Sequence, residues 1–266
     1  MSYATLEDAI TRGHGTERPF RCPVHDDRHA SASVNVLKGL WYCYTCGAHG
    51  KANDVHESDI RRFGRDIEEL LQTSFRTYSE SWLEQFQGKD DYWLTRFCKP
   101  AIDKFKLGWH WQDQMPCYPM RGPDETIWGV VRRNLGSEGP KYLYPHGPKK
   151  SKTLFHYSAN QRDVVFLCEG AMDVVACWEA GVEAFGLYGA QLSNDQLKLI
   201  HRVSPKRIAL VLDNDKAGRV ATEQIGSRLS LLGYDVHVVD WDGCEYKDIG
   251  EVPRAERKTL LDPLAL

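Results

Sequence analysis

Residues 164–175 read VVFLCEGAMDVV, and residues 207–218 read RIALVLDNDKAG. The first begins with an unbroken apolar run and the second carries one after Arg207, and each run then meets acids. A run of five apolar residues without alternation fits a strand covered on both faces. Such strands belong to parallel sheets with a helix between each pair. The acids therefore fall at the carboxyl ends of strands, the edge where open α/β sheets bind ligands.

The flanking sequence repeats this grammar. A helix is expected over Ala171 to Ala180, closed by Gly181, and a second strand over Val182 to Tyr188. Ser193-x-x-Gln196 is a capping box that opens a helix over Asn194 to Val203, broken by Ser204-Pro205. The strand at Arg207 to Leu212 leads to a helix over Ala217 to Leu232, ended by Gly233, and then to a strand over Val236 to Val239. Glu169 follows the first strand, Asp213 and Asp215 the third, and Asp248 (in YKDIGE) the fourth. Asp173 lies four residues after Glu169, one helical turn on, and faces the same rim. A lone strand-end acid is often a helix N-cap, and Asp213 or Asp215 fits that description too. Several carboxylates converging on one rim repel unless a cation neutralises them, and hard oxygen donors suit Mg²⁺ or Mn²⁺.

A second centre lies near the amino terminus. Cys22-x2-His25 and Cys43-x2-Cys46 are two knuckles separated by a hairpin-like segment: SASVNV at 31–36, a turn at Lys38-Gly39, and LWYCY at 40–44. Four ligands in two pairs suit tetrahedral zinc and leave no open position, so the site is expected to be structural. His29 and His49 lie close enough to compete with His25. A unit of this size buries too little to be secure alone, and metal supplies the missing stability. Arg21, Arg28, Lys38, Trp41 and Tyr44 are candidates for contacting unpaired bases.

Between these centres the pattern is mixed. A helix is expected over 52–74, with Arg61, Arg62 and Arg65 on its polar side, and a boundary or hinge over 76–90. Short helices follow at Tyr92 to Phe97 and at Ala101 to Leu107, the second ended by Gly108. Strands are expected at Cys117 to Met120, Ile127 to Asn134 and Tyr142 to Leu143. From Arg121 to His156 there are seven Lys or Arg and three acids, a local +4 in a 266-residue chain of net charge −3. A basic strip beside an acidic site suits a phosphate backbone, and a uniformly basic coat is excluded.

The chain is 42% hydrophobic and 27% charged, which excludes extensive disorder. No apolar run approaches 18 residues, so no membrane span is expected. The start, MSYATLEDAITRG, lacks a basic-then-apolar leader, and a cytoplasmic location with reduced thiols is expected. Cys98, Cys117, Cys168, Cys177 and Cys244 then read as buried or inert thiols.

Taken together, these motifs resemble the bacterial DnaG-type primases. CPVHDDRHASASVNV and WYCYTCGAHG look like the family's zinc-binding domain. AIDKF, LGWH, GVVRR, PKYLYP and KSKTLF look like the amino-terminal part of its polymerase core. LCEGAMDVV, GLYGA, LVLDNDKAGR and YKDIGE look like its Toprim subdomain. The resemblance runs from about residue 18 to about residue 250. It implies a multidomain α+β chain: a β-rich zinc ribbon with a helical linker at 1–75, a mixed α+β basic subdomain at 76–160, and an α/β Toprim subdomain with a parallel sheet and a tail at 161–266.

The resemblance also implies an activity, a DNA-dependent RNA polymerase that starts RNA primers on single-stranded DNA from NTPs. Glu169, Asp173, Asp213, Asp215 and Asp248 would be catalytic, and Glu169, Asp213, Asp215 and Asp248 would hold Mg²⁺ or Mn²⁺. Lys141, Lys150, Lys152 and one of Arg132 or Arg133 would face template or nucleotide phosphates. Cys22, His25, Cys43 and Cys46 would hold one structural Zn²⁺. The family often carries Asp-x-Asp in its last acidic motif, whereas here Gly250 stands in the second place and Glu251 follows. No G-x4-G-K-[ST] motif is present, so a fused helicase motor is excluded and the replicative helicase is expected as a separate chain. The arrangement resembles a short phage-type primase of the primosome. Two rival readings are a Toprim nuclease, separated by NTP dependence of the product, and a non-catalytic DNA- or helicase-binding adaptor, separated by indifference to loss of Asp213.

Overall fold

The computed structural model describes residues 4–12, 15–51 and 75–265. The helix expected over 52–74 lies outside the described residues. The chain divides into two compact units: residues 1–72 with 224–236, and residues 73–223 with 237–266.

In the first unit, α1 (Leu6–Arg12) precedes a four-stranded antiparallel sheet of β1 (Glu17–Phe20), β2 (Ala32–Asn35), β3 (Leu40–Cys43) and β4 (His49–Lys51), in that order. The expected hairpin is its middle pair, with the turn at residues 36–39. The edge strands were not foreseen. Phe20, Ala32, Val34 and Val36 form its small core with Ala9. Trp41 packs edge-on against Phe20, and Lys38 lies 3.3 Å above the Tyr234 ring, whereas Tyr44 is exposed.

In the second unit, residues 76–90 are not a simple hinge. They contain a 3-10 helix, Glu80–Phe86, that buries Leu83 and Phe86 against Ile127 and Val130. Two short helices follow, α2 (Asp90–Leu94) and α3 (Lys99–Phe105). Pro100 stands in the first turn of α3, where its missing N–H costs nothing. α3 closes at Lys106, in the left-handed region at φ 52°, and not at Gly108. Gly108 instead begins β5 (Gly108–His110), the edge of an antiparallel sheet with β6 (Met115–Arg121), β7 (Ile127–Arg133) and β8 (Tyr142–Leu143).

The carboxyl half has the alternating pattern read from its apolar runs. β9 (Val164–Cys168), α4 (Ala171–Glu179), β10 (Ala184–Gly186), α5 (Asn194–Val203), β11 (Arg207–Val211), α6 (Lys216–Leu231) and β12 (Asp235–Val238) alternate. The sheet order is β10-β9-β11-β12, and β9 pairs parallel with both β10 and β11. The Ser193 hydroxyl accepts from the Gln196 amide and the Gln196 side chain accepts from the Ser193 amide, so the capping box forms as spaced. α7 (Arg254–Ala265) occupies what had been read as a tail. One hydrophobic core, including Phe97, Ile102, Tyr118, Val131, Phe155, Val174 and Val211, joins the antiparallel sheet, the short helices and the parallel sheet. Among the described residues no helix is long and apolar enough to cross a membrane.

Candidate active site

The parallel sheet delivers its acids to one rim because each follows the carboxyl end of a strand. Asp173, Asp213 and Asp248 each offer a carboxylate oxygen, and these atoms lie within 4.8 Å of one another. Asp173 is 8% exposed, and its carboxylate accepts the Gly170 amide at 3.0 Å. Burial pushes its carboxyl well up, and the neighbouring Asp248 and Asp213 push it further. Burial and then Asp248 raise Asp213 to about 6. Glu169 is raised by burial, then by Asp213 and Asp215. One buried and two half-buried carboxylates, their oxygens within 4.8 Å of one another, form a hard-oxygen site that fits a divalent cation.

Glu169 and Asp215 do not join that trio. Glu169 lines the same cleft. Asp215 caps α6, accepting the Gly218 amide at 2.9 Å, and this bond, outweighing burial, lowers its carboxyl. Asp215 also receives Lys247 Nζ at 3.4 Å, while Asp213 lies 4.0 Å from the same ammonium. Glu251 does not stand in for the missing second Asp. Its carboxylate accepts the Lys247 amide at 2.9 Å, and its own amide bonds the Asp248 carboxylate at 2.9 Å.

The cleft in front of these acids is about 430 Å³. Arg96, Arg133, Lys141 and Lys150 line it opposite the carboxylates, with Tyr118, Tyr142, Tyr144 and Tyr188 forming its aromatic wall. Strand alternation separates the two arginines of β7. Arg133 lines the cleft, whereas Arg132 is paired with Asp113. Lys150 Nζ donates to the Tyr188 carbonyl at 2.9 Å. Lys152 shares the short 3-10 turn with Lys150 but does not line the cleft. Arg96 and Lys247 also line the cleft. Neither carries a periodic signal, since Arg96 follows a one-turn helix and Lys247 lies on an irregular loop.

That loop is anchored from α7. Arg257, only 3% exposed, donates to the carbonyls of Gly250 (3.0 Å) and Val252 (2.8 Å) and pairs with Glu179 of α4 at 2.6 Å. Glu179 also accepts the Cys98 amide at 2.5 Å.

In the first unit, Cys22, His25, Cys43 and Cys46 bring their ligand atoms together. Cys22 Sγ and Cys46 Sγ are 3.6 Å apart, and Cys43 Sγ and His25 Nδ1 are 3.9 Å apart. A tetrahedron with metal–sulfur bonds of about 2.3 Å has edges of about 3.8 Å. The four donors therefore fit zinc with no open position, and this is a structural zinc site. His29 and His49 stand outside it; His49 Nδ1 donates to the Gly47 carbonyl at 3.1 Å. Asp27 organises the first knuckle. It accepts the amides of Cys22 (2.7 Å), Ser31 (2.8 Å) and His29 (3.3 Å), which hold its carboxyl well below the usual range.

Residues 11–81 match the CHC2 zinc finger family, and residues 166–252 match the Toprim-like family. A DNA primase of Synechocystis sp. is 27% identical, over 86% of this chain and 49% of that protein. The chain spans about half the length of the curated relatives it matches. The zinc-binding and RNA polymerase domains of Aquifex aeolicus primase superpose with a TM-score of 0.56 at 19% identity, over 94% of this chain and 78% of that one. The primase fragment of the bacteriophage T7 primase-helicase protein superposes with a TM-score of 0.53 at 16% identity, over 93% and 99%. At these identities the structural likeness is one of fold. The family matches at both ends and the relatives along most of the length agree, and the chain belongs to the DnaG-type primase family.

Proposed function

We propose that the chain is a DNA primase, a nucleotidyltransferase that makes short RNA primers de novo on single-stranded DNA. The observation that carries this reading is the cleft itself, which carboxylates line together with Arg133, Lys141 and Lys150. A nuclease would set one phosphate backbone against that basic wall, whereas a primase would set both a template backbone and a triphosphate there, and NTP dependence of the product separates the two.

In the proposed reaction the 3′-hydroxyl of one nucleotide attacks the α-phosphorus of the next, and pyrophosphate leaves. A divalent ion, Mg²⁺ or Mn²⁺, would be held by Asp173, Asp213 and Asp248 and would offset charge on the phosphates. Glu169, beside the trio with its carboxyl raised by burial, accepts the proton of the attacking hydroxyl. Arg133, Lys141 and Lys150 hold triphosphate and template phosphates, and Arg96 extends that wall. Lys152, outside the cleft, fits the approach of the template strand. Residues 1–75 would help choose the start site through the zinc ribbon, 76–160 would carry the basic wall, and 161–266 the metal chemistry. The partners are single-stranded DNA, NTPs and a helicase on a separate chain, in the cytoplasm.

The test is primer synthesis on a pool of single-stranded DNA with four NTPs, labelled ATP and Mg²⁺ or Mn²⁺. Labelled, ribonuclease-sensitive oligomers that fall at least a hundredfold with Glu169→Gln or Asp213→Asn are the expected result. Template cleavage without NTPs would establish a nuclease instead. No product with or without a helicase would leave an adaptor.

A further inference from the structure

Lys247 stands immediately before Asp248, yet its side chain serves a different pair of acids. Its ammonium lies 3.4 Å from Asp215 Oδ2 and 4.0 Å from Asp213 Oδ2. Its backbone is gripped from both sides. The Lys247 carbonyl accepts the Asn214 amide at 2.6 Å, and the Lys247 amide donates to Glu251 at 2.9 Å. Asn214 lies between Asp213 and Asp215, and its side-chain amide also bonds the carbonyls of Cys244 and Tyr246. The loop carrying Lys247 is thus registered against the loop carrying the two acids. That registration sets the Lys247 backbone beside the two acids, within reach of its ammonium.

The charges around it divide in two. Asp173, Asp213 and Asp248 gather their oxygens for one ion. A second ion would sit about 4 Å from the first and would need further oxygen ligands of its own. Gly250 supplies none, although a Cβ there would lie 3.1 Å from Asp248 Oδ1 and 3.8 Å from Asp173 Oδ1. The Glu251 carboxylate is engaged by the Lys247 amide. The Asp213–Asp215 side remains, where Glu169 also lines the cleft, and a cation already faces it.

We propose that the Lys247 ammonium takes the place of a second divalent ion on the Asp213–Asp215 side, so that the protein by itself holds one ion tightly, at Asp173, Asp213 and Asp248. Any second ion then arrives with the triphosphate, whose oxygens complete its shell. This rests on the metal-assisted reaction proposed above. Lys247 is in this account a positioning residue that sets how many ions are resident.

The experiment counts Mn²⁺ bound to the zinc-loaded full chain, without nucleotide, by electron paramagnetic resonance titration. The unaltered protein is expected to bind one ion tightly. Lys247→Met, which keeps the length of the side chain and removes the charge, is expected to tighten a second ion at least tenfold. Lys247→Arg keeps a charge there and is expected to stay with the unaltered protein. Circular dichroism confirms that each variant is folded. Two equally tight ions in the unaltered protein, or a second ion tightened less than twofold in Lys247→Met, overturns the inference and leaves the primase reading standing. No tightly bound ion in the unaltered protein also overturns the inference, and the primer assay alone decides the primase reading.

Discussion

His156 shows how one side chain couples the core to acidity. It lies at φ 58° and meets the Phe105 ring edge-on at 4.8 Å. Burial brings its imidazole down to about 4, with Lys104 adding to the effect. The folded protein therefore resists a proton that the unfolded chain accepts at about 6.5. The stabilisation is complete above pH 6.5 and is lost as pH falls through about 4, with a ceiling of about 3 kcal/mol. Urea midpoints between pH 4 and pH 7.5 are expected to fall towards acid, and less steeply in His156→Asn, which tolerates the same backbone region. At this scale the candidate acids were legible because each follows an apolar strand. Choosing between Arg132 and Arg133 needed the orientation of β7, which a doublet of identical residues conceals. Lys247 was hidden for another reason: its place depends on hydrogen bonds from Asn214 and Glu251, which no local pattern encodes.

Among elements, α6 shows a glycine whose role is clearance. Alanine is ordinarily the better helix former by about 1 kcal/mol. At Gly218, however, a Cβ would stand 2.0 Å from the Asp213 carbonyl oxygen and 2.7 Å from its carbon. Both are backbone atoms and have no rotamer by which to escape. Gly218→Ala is expected to push the Asp213–Asp215 loop off its position. Mn²⁺ affinity should drop more than tenfold and primer synthesis more than a hundredfold, as titration and the primer assay would show. α5 was legible to the residue because Ser193 and Gln196 announce its start and Ser204-Pro205 its end. The 3-10 helix at Glu80–Phe86 was not, because two buried residues, Leu83 and Phe86, sit in a mostly polar stretch too short for a period to emerge. β5 escaped for the same reason, being three residues long and opened by a glycine that also suits a helix end.

The whole molecule is held in two ways. The second unit rests on a continuous hydrophobic core, whereas the ribbon has a small one and four metal ligands. Stripping zinc with a chelator at neutral pH is therefore expected to unfold the ribbon and spare the parallel sheet. Amide hydrogen exchange would read this directly. Protection should vanish across residues 17–51 and persist at 164–168 and 207–211. A single transition abolishing protection in both would show that the second unit depends on the metal. The alternating α/β half and the zinc knuckles were visible at this scale because each has a strong local signature. The shared core of the second unit was not, since it joins residues far apart in the chain.

The grip of Arg257 on the loop before it bears on descent as well as on packing. Every carboxylate of the rim is encoded by residue 248, and the Toprim-like match closes at residue 252. A genetic exchange that spliced a foreign segment in at that seam would inherit all the acids. It would also discard the arginine that fixes the Gly250 and Val252 carbonyls, and with it the tie to Glu179. An exchange that kept the loop together with the arginine that fixes it would have to fall beyond α7.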